Sequence, residues 1–301
     1  MICRALLTLV LAALFAAPAL AASDGGAARL GAGWLARAVP GGGDGQSADA
    51  AVALVAAGRL GEKSRVARIA ALRAGAPRYA TTPGAAAKVV LGLVALGAER
   101  PRCVGALDLV ARINAGVRNG QYGRTIYDQT LAMLASRALG RPVAPAAVRW
   151  LRAARRDGGW SVLANQVDDV SSTAMAVLAL RSAGVPKNDP AITAGMRWIE
   201  TQRSPSGGFA LGRKDRAESN STALAIEAAT AVGRTDARAL TALRGLQRTD
   251  GSFNFTATDG GSRVIASTDA VVALAGKAMP VASLTKPASA CSAASARLTA
   301  P

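Results

Sequence analysis

Histidine is absent from all 301 residues, and with it go the mechanisms that need an imidazole base, proton shuttle or metal ligand. Carboxylates, cysteines and a thin set of aromatics are left to do chemistry. Five acidic residues stand beside glycine turns or helix starts: Asp157, Asp168, Asp169, Glu218 and Asp250. If those turns share one end of the fold, the carboxylates form an acidic rim suited to a cation or a cationic ligand. Taken singly, they cap helices and offset nearby arginines. Tyr122, Trp160, Phe209 and Phe253 recur at the same turns, where an aromatic either lines a ligand site or packs between repeated units. Aromatics at 4% leave little material for stacking bases or sugar rings on several platforms. Cys103 and Cys291 fit one disulfide tying the C-terminal tail to the body, or two free thiols. With no CxxC pair and no histidine, a zinc site is not expected, and no cofactor is.

The elements that must position these residues repeat. A glycine closes an Ala/Val/Leu run at Gly58, Gly97, Gly140, Gly184, Gly233 and Gly276, at a spacing of about 40 to 50 residues that marks stacked supersecondary units. In each unit the first helix is amphipathic, as in Ala147, Trp150, Leu151 and Ala154 with arginines between them. The second is apolar on all sides, as in Thr173 to Leu180, or Ala85 to Leu96 apart from Lys88. Buried helices inside and amphipathic helices outside, with no polar capping unit at either end, predict an all-α fold: an α/α toroid of about six helix-pair repeats. The toroid is expected over residues 22–283, followed by a flexible tail over 284–301. Arg4, the apolar run from Ala5 to Phe15, Pro18 and the small site Ala19-Leu20-Ala21 read as a secretory signal peptide over residues 1–21.

An extracytoplasmic setting changes the meaning of the charge. Lys+Arg 36 against Asp+Glu 19 gives +17, which outside a cell points to anionic envelope polymers or acidic ligands and away from nucleic acid. Arginines such as Arg149, Arg152, Arg155 and Arg156 also make an ordinary solvated helix face. No later stretch is long and apolar enough to span a bilayer, and a monomer is expected.

Trp150 to Trp160 aligns without a gap on Leu243 to Phe253, and Trp198 to Phe209 follows with one extra residue. The repeated Gln-x-x-Asp-Gly-(Gly/Ser)-(Phe/Trp) turn, followed by a (Ser/Thr)-Ala-x-x-Ala-Leu helix, resembles the terpenoid cyclase and protein prenyltransferase superfamily. It looks closest to the secreted bacterial prenyltransferase and squalene oxidase repeat proteins, which are squalene cyclase-like. The resemblance implies the toroid and a central cavity. It also implies, in class II cyclases, an Asp-Val-Asp-Asp-Thr-Ala segment whose middle acid protonates the substrate. The matching segment here is Asp169-Val170-Ser171-Ser172-Thr173-Ala174, with hydroxyls in place of the acid; Glu218-Ser219-Asn220-Ser221-Thr222-Ala223 departs likewise. A register slipped by three residues would make Asp168 the acid. The prenyltransferases' zinc site needs a histidine, which this chain lacks. The expectation is therefore a secreted, non-catalytic module that binds a small or apolar ligand or an anionic envelope component. Ligand contacts are expected from Tyr122, Trp160, Asp168, Asp169, Phe209, Glu218 and Phe253. The alternatives are a divergent isoprenoid cyclase or transferase using Asp168, and a basic scaffold for anionic wall polymers.

Overall fold

A computed structural model of the chain describes residues 24–163, 166–211, 216–259 and 261–291. The expected signal peptide and the tail beyond 291 lie outside the described residues. Twelve helices follow in order among those described: α1 Asp24–Ala38, α2 Gly45–Ala56, α3 Glu62–Tyr79, α4 Pro83–Ala95, α5 Leu109–Asn114, α6 Ile126–Ala138, α7 Pro145–Ala153, α8 Val170–Ser182, α9 Pro190–Thr201, α10 Ser219–Ala231, α11 Ala237–Arg244 and α12 Arg263–Leu274. A two-stranded antiparallel hairpin, β1 Cys103–Val104 and β2 Leu107–Asp108, precedes α5.

Local chemistry fixes where the helices begin and end. Side-chain oxygens of Asp44, Thr82, Thr125, Asp169, Asp189 and Asp236 accept the first free amides of their helices. At the other end of every even-numbered helix the chain leaves through a glycine with positive φ: Gly58, Gly97, Gly140, Gly184, Gly233 and Gly276. Open space surrounds Gly58, Gly184, Gly233 and Gly276, so glycine is needed there for its backbone angle and not for room.

The even-numbered helices form the inner wall. Each packs on the next, and α12 packs back on α2, so the ring closes. The odd-numbered helices form the outer layer. Closure is completed by α1, which packs on α12; the Gln247 amide donates to the Ala27 carbonyl at 2.8 Å, and Arg244 pairs with Asp24. The same stitch recurs around the outside: Arg152 pairs with Asp189 at 2.5 Å and Arg203 with Asp236 at 2.6 Å, an arginine near the end of one outer helix meeting the cap of the next. Part of the basic outer face thus holds neighbouring repeats together.

Between repeats sits a latch. The backbone N–H of each turn aromatic donates to a polar side chain on the inner helix that follows: Tyr122 to Gln129, Trp160 to Thr173, Phe209 to Thr222 and Phe253 to Ser267. Trp160, Phe209 and Phe253 are fully buried, and they rank among the largest such side chains.

The end of the chain is held as well. The expectation of flexibility from 284 onward does not describe residues 284–291. The Leu284 and Ala288 amides donate to the Ala138 and Leu139 carbonyls at 2.8 and 3.0 Å, and Cys291 is joined to Cys103. After α12, residues 276–291 cross the C-terminal ends of the inner helices as a strap.

Candidate functional site

The ring encloses a cavity of about 220 Å³ lined by all six inner helices and by Met279 of the strap. Its body is apolar: Val52, Leu131, Met175, Leu224 and Val272. Into it project Asp49 from α2, Lys88 from α4, Tyr127 from α6, Asn220 and Glu227 from α10 and Asp269 from α12. In helices otherwise built from Ala, Val and Leu, these side chains stand out. Placing a charge inside such a wall is costly unless it is paired.

Their pairing is partial. Lys88 donates to Asp49 at 2.5 Å. Burial pulls the Lys88 ammonium down, but the Asp49 charge and hydrogen bond outweigh it and hold the group above its usual value. Asn220 donates to Oδ2 of Asp269 at 2.8 Å. Burial, then the Asp49 charge, still pushes the Asp269 carboxyl up to about 6. Glu227 accepts the Met279 amide at 3.2 Å. Burial and the Asp269 charge hold it well above the usual carboxylate range. Burial likewise raises the Tyr127 phenol. The cavity therefore combines an ion pair with two carboxyls that resist ionisation.

Access is from the side opposite the strap. Tyr127, Ser171, Asn220 and Ile265 line both the cavity and a wider hollow of about 810 Å³ bounded by Leu211, Arg216, Glu218, Phe255 and Thr256. Leu211 and Ile265 are 57% and 45% exposed, which gives the mouth an apolar lip. Ser171, at the position where class II cyclases carry the acid, stands at this threshold, its hydroxyl 3.1 Å from that of Ser221.

The residues expected from sequence lie elsewhere, with one exception. Trp160 packs in the core and its indole N–H donates to the Leu151 carbonyl at 2.8 Å. Phe209 lies under the Arg203 guanidinium, 4.4 Å from the ring centre. Phe253 packs against Gly31 of α1, and Tyr122 is buried beside its latch. Asp169 caps α8 through the Ser172 amide at 2.7 Å, and Asp168 accepts the Gly159 amide at 3.1 Å. Burial raises both carboxyls, but neither borders the cavity. Asp250 binds the amide and hydroxyl of Ser252 within its own turn. Only Glu218, which accepts from Ser221, reaches the mouth. Among the described residues no three carboxylates or thiols gather closely enough to hold a metal ion. Sequence reasoning missed Asp49, Glu227 and Asp269. The available signal was a charge isolated in an otherwise apolar inner helix, as at Lys88.

Residues 131–211 match the family model of the squalene-hopene cyclase N-terminal domain. No curated protein matches the chain. Among solved structures, a polysaccharide lyase has a TM-score of 0.60 at 10% identity, with 84% of this chain and 96% of that one covered. The type II terpene cyclase MstE from Scytonema, solved with geranylgeranyl dihydroxybenzoate, has a TM-score of 0.58 at 14% identity, with 84% and 97% covered. The ent-copalyl diphosphate synthase from Streptomyces platensis has a TM-score of 0.53 at 20% identity, with 77% and 50% covered. The α/α toroid of the terpenoid cyclases, read from the repeats, is the fold of this chain. A lyase of polysaccharides on the same toroid shows that the fold alone does not choose the chemistry.

Proposed function

We propose that this toroid is a ligand-binding module whose central cavity takes one small, largely apolar molecule through the Leu211–Ile265 mouth and holds its polar end on Asp269, Glu227 and Asn220. The observation that carries this reading is the convergence of Asp49, Lys88, Asn220, Glu227 and Asp269 on one cavity, where Asp269 and Glu227 each keep one carboxyl oxygen beyond the bonds that join inner helices and strap. Convergent polar groups with perturbed ionisation in an enclosed apolar cavity are the usual mark of a site. The fold is shared with proteins that bind prenyl compounds, which agrees with an apolar occupant. At about 220 Å³ the cavity is smaller than the roughly 300–1,000 Å³ of pockets that enclose drug-sized ligands. The setting we propose is extracytoplasmic, as the signal-peptide pattern of the first 21 residues suggests.

The experiment is extraction of the protein from its native host without detergent, followed by mass spectrometry of what denaturation releases. A single small molecule is expected, absent from a Leu224→Trp variant that fills the cavity. Empty protein, together with no thermal stabilisation of the wild type by host small-molecule extract, would refute the reading.

One observation favours a second reading. Asp269 and Glu227 are carboxyls that burial in an apolar cavity pushes toward the protonated form, as a general acid requires. In that case Asp269, and not Asp168, is the group to test. Conversion of a short prenyl diphosphate, lost in Asp269→Asn, would establish catalysis in place of binding.

A further inference from the structure

Which small molecule fits can be narrowed from the charges that face the cavity. Each inner helix contributes as follows: Asp49 from α2, Lys88 from α4, Tyr127 from α6, no titratable group from α8, Glu227 from α10 and Asp269 from α12, while the strap offers Met279. Three carboxyls thus face a single ammonium, and that ammonium is committed to Asp49 at 2.5 Å. Asp269 and Glu227 make no ion pair among the described residues. Each has one oxygen satisfied, by the Asn220 amide and by the Met279 backbone N–H respectively. Glu227 is 1% exposed and lines the cavity, where its second oxygen has no protein partner among the described residues. Asn220 spends its N–H on Asp269 and keeps its carbonyl oxygen as an acceptor. The unmet demand is therefore for N–H donors carrying a positive charge. The rest of the wall, Val52, Leu131, Met175, Leu224 and Val272, demands hydrocarbon.

We propose that the occupant is a compact aliphatic or alicyclic amine, bound as its N–H-bearing ammonium to the Asp269 and Glu227 carboxylates with its hydrocarbon body against Leu131, Met175 and Leu224. This rests on the ligand-binding reading above and specifies its substrate class. A quaternary ammonium is disfavoured, because it has no N–H to give and Tyr127 is the one aromatic on the wall. Lys88 acts on Asp269 only at a distance, from its pair with Asp49, and an amine supplies a second countercharge in contact, so binding it favours ionisation of carboxyls that burial suppresses.

Titration calorimetry at pH 7.5 with three size-matched probes tests this: cyclohexylamine, cyclohexanol and cyclohexanecarboxylate. Cyclohexylamine is expected to bind at least about tenfold more tightly than cyclohexanol, and the carboxylate not at all. Asp269→Asn is expected to bring the amine down to the level of the alcohol; Glu227→Gln, a second variant, weakens it in the same direction. As the pH is lowered through 6, amine affinity falls in the wild type and falls less steeply in Asp269→Asn, where of the two carboxyls only Glu227 still titrates. Cyclohexanol or the carboxylate binding as tightly as the amine would overturn the amine assignment and leave the cavity as a binding site. If none of the three binds, the assignment and the cavity reading fall together. Amine binding untouched by either variant would overturn the placement at Asp269 and Glu227.

Discussion

Replacing Asp269, half-buried and hydrogen-bonded, by asparagine should make the ligand-free protein more stable, which is the reverse of what removing a hydrogen-bonded polar residue usually does. Its carboxyl moves from 3.8 to about 6 on folding, because burial and then the Asp49 charge disfavour the ionised form. A carboxyl whose value is raised in the folded state costs stability wherever it is ionised. The cost is absent below 3.8, grows between 3.8 and 6, and is complete above 6. An interval from 3.8 to about 6 corresponds to about 3 kcal/mol at most. Asparagine carries no charge and can still accept the Asn220 amide through its own oxygen, so the 2.8 Å contact survives. We expect Asp269→Asn to gain about 2 kcal/mol at pH 8 and nothing at pH 4. Urea unfolding of both proteins at the two pH values, after dialysis to remove bound ligand, measures the difference. A variant less stable than wild type at pH 8, or a difference equal at both pH values, would refute the reasoning.

Five further variants test the packing, the latch, the turns and the strap. Trp160→Ala should cost about 3–5 kcal/mol and Thr173→Val, which strands the buried Trp160 amide, about 1–3 kcal/mol; denaturant unfolding checks both, and neither should alter amine affinity in the surviving folded fraction. Gly75→Ala would place a methyl 2.0 Å from the Gly43 Cα, where backbone must move, and should lower stability by about 1–3 kcal/mol. Gly58→Ala, at φ +62 in open space, costs only the roughly 1–2 kcal/mol of a left-handed residue, and melting curves of the two compare these causes. Cys291→Ser removes the tie at the end of the strap; hydrogen exchange should accelerate at Leu284 and Ala288 with the inner helices still protected, and unchanged exchange there would show that hydrogen bonds alone hold the strap.

The ring was legible in the sequence because its signals are local and repeated. A glycine at each inner-helix terminus, an aromatic at the turn and, in the last three repeats, a hydroxyl 13 or 14 residues later recur often enough to be seen without any tertiary contact. The aromatics misled for the same reason. Trp160, Phe209 and Phe253 look like a lining when read as a list, but each hides between an outer and an inner helix, where the latch hydroxyl fixes its backbone. The cavity residues were harder to see because no two of Asp49, Lys88, Glu227 and Asp269 belong to the same helix, and their register differs from one helix to the next.

That shift of register bears on what the site can do. Ser171 and Asp269 lie on inner helices two places apart in the ring, and both border the cavity. Their levels differ. Ser171 lies two residues before the latch Thr173 and borders the wide mouth as well, whereas Asp269 lies two residues after the latch Ser267, about one helical turn further along. Ser171 is buried although it borders the mouth. Asp269 is half-buried on the cavity wall it shares with Leu131, Met175 and Leu224, and its carboxyl is pushed up to about 6. Hydroxyls at the threshold and carboxyls in the depth suit a ligand that enters with its polar end leading, sheds its water at Ser171 and Asn220, and docks that end below, the hydrocarbon body following into the apolar belt. If so, Ser171→Val should slow association of cyclohexylamine more than it changes the equilibrium affinity, a split that stopped-flow binding can measure. Equal loss in both would place Ser171 among the groups that hold the ligand, and the order of docking would have to be reversed.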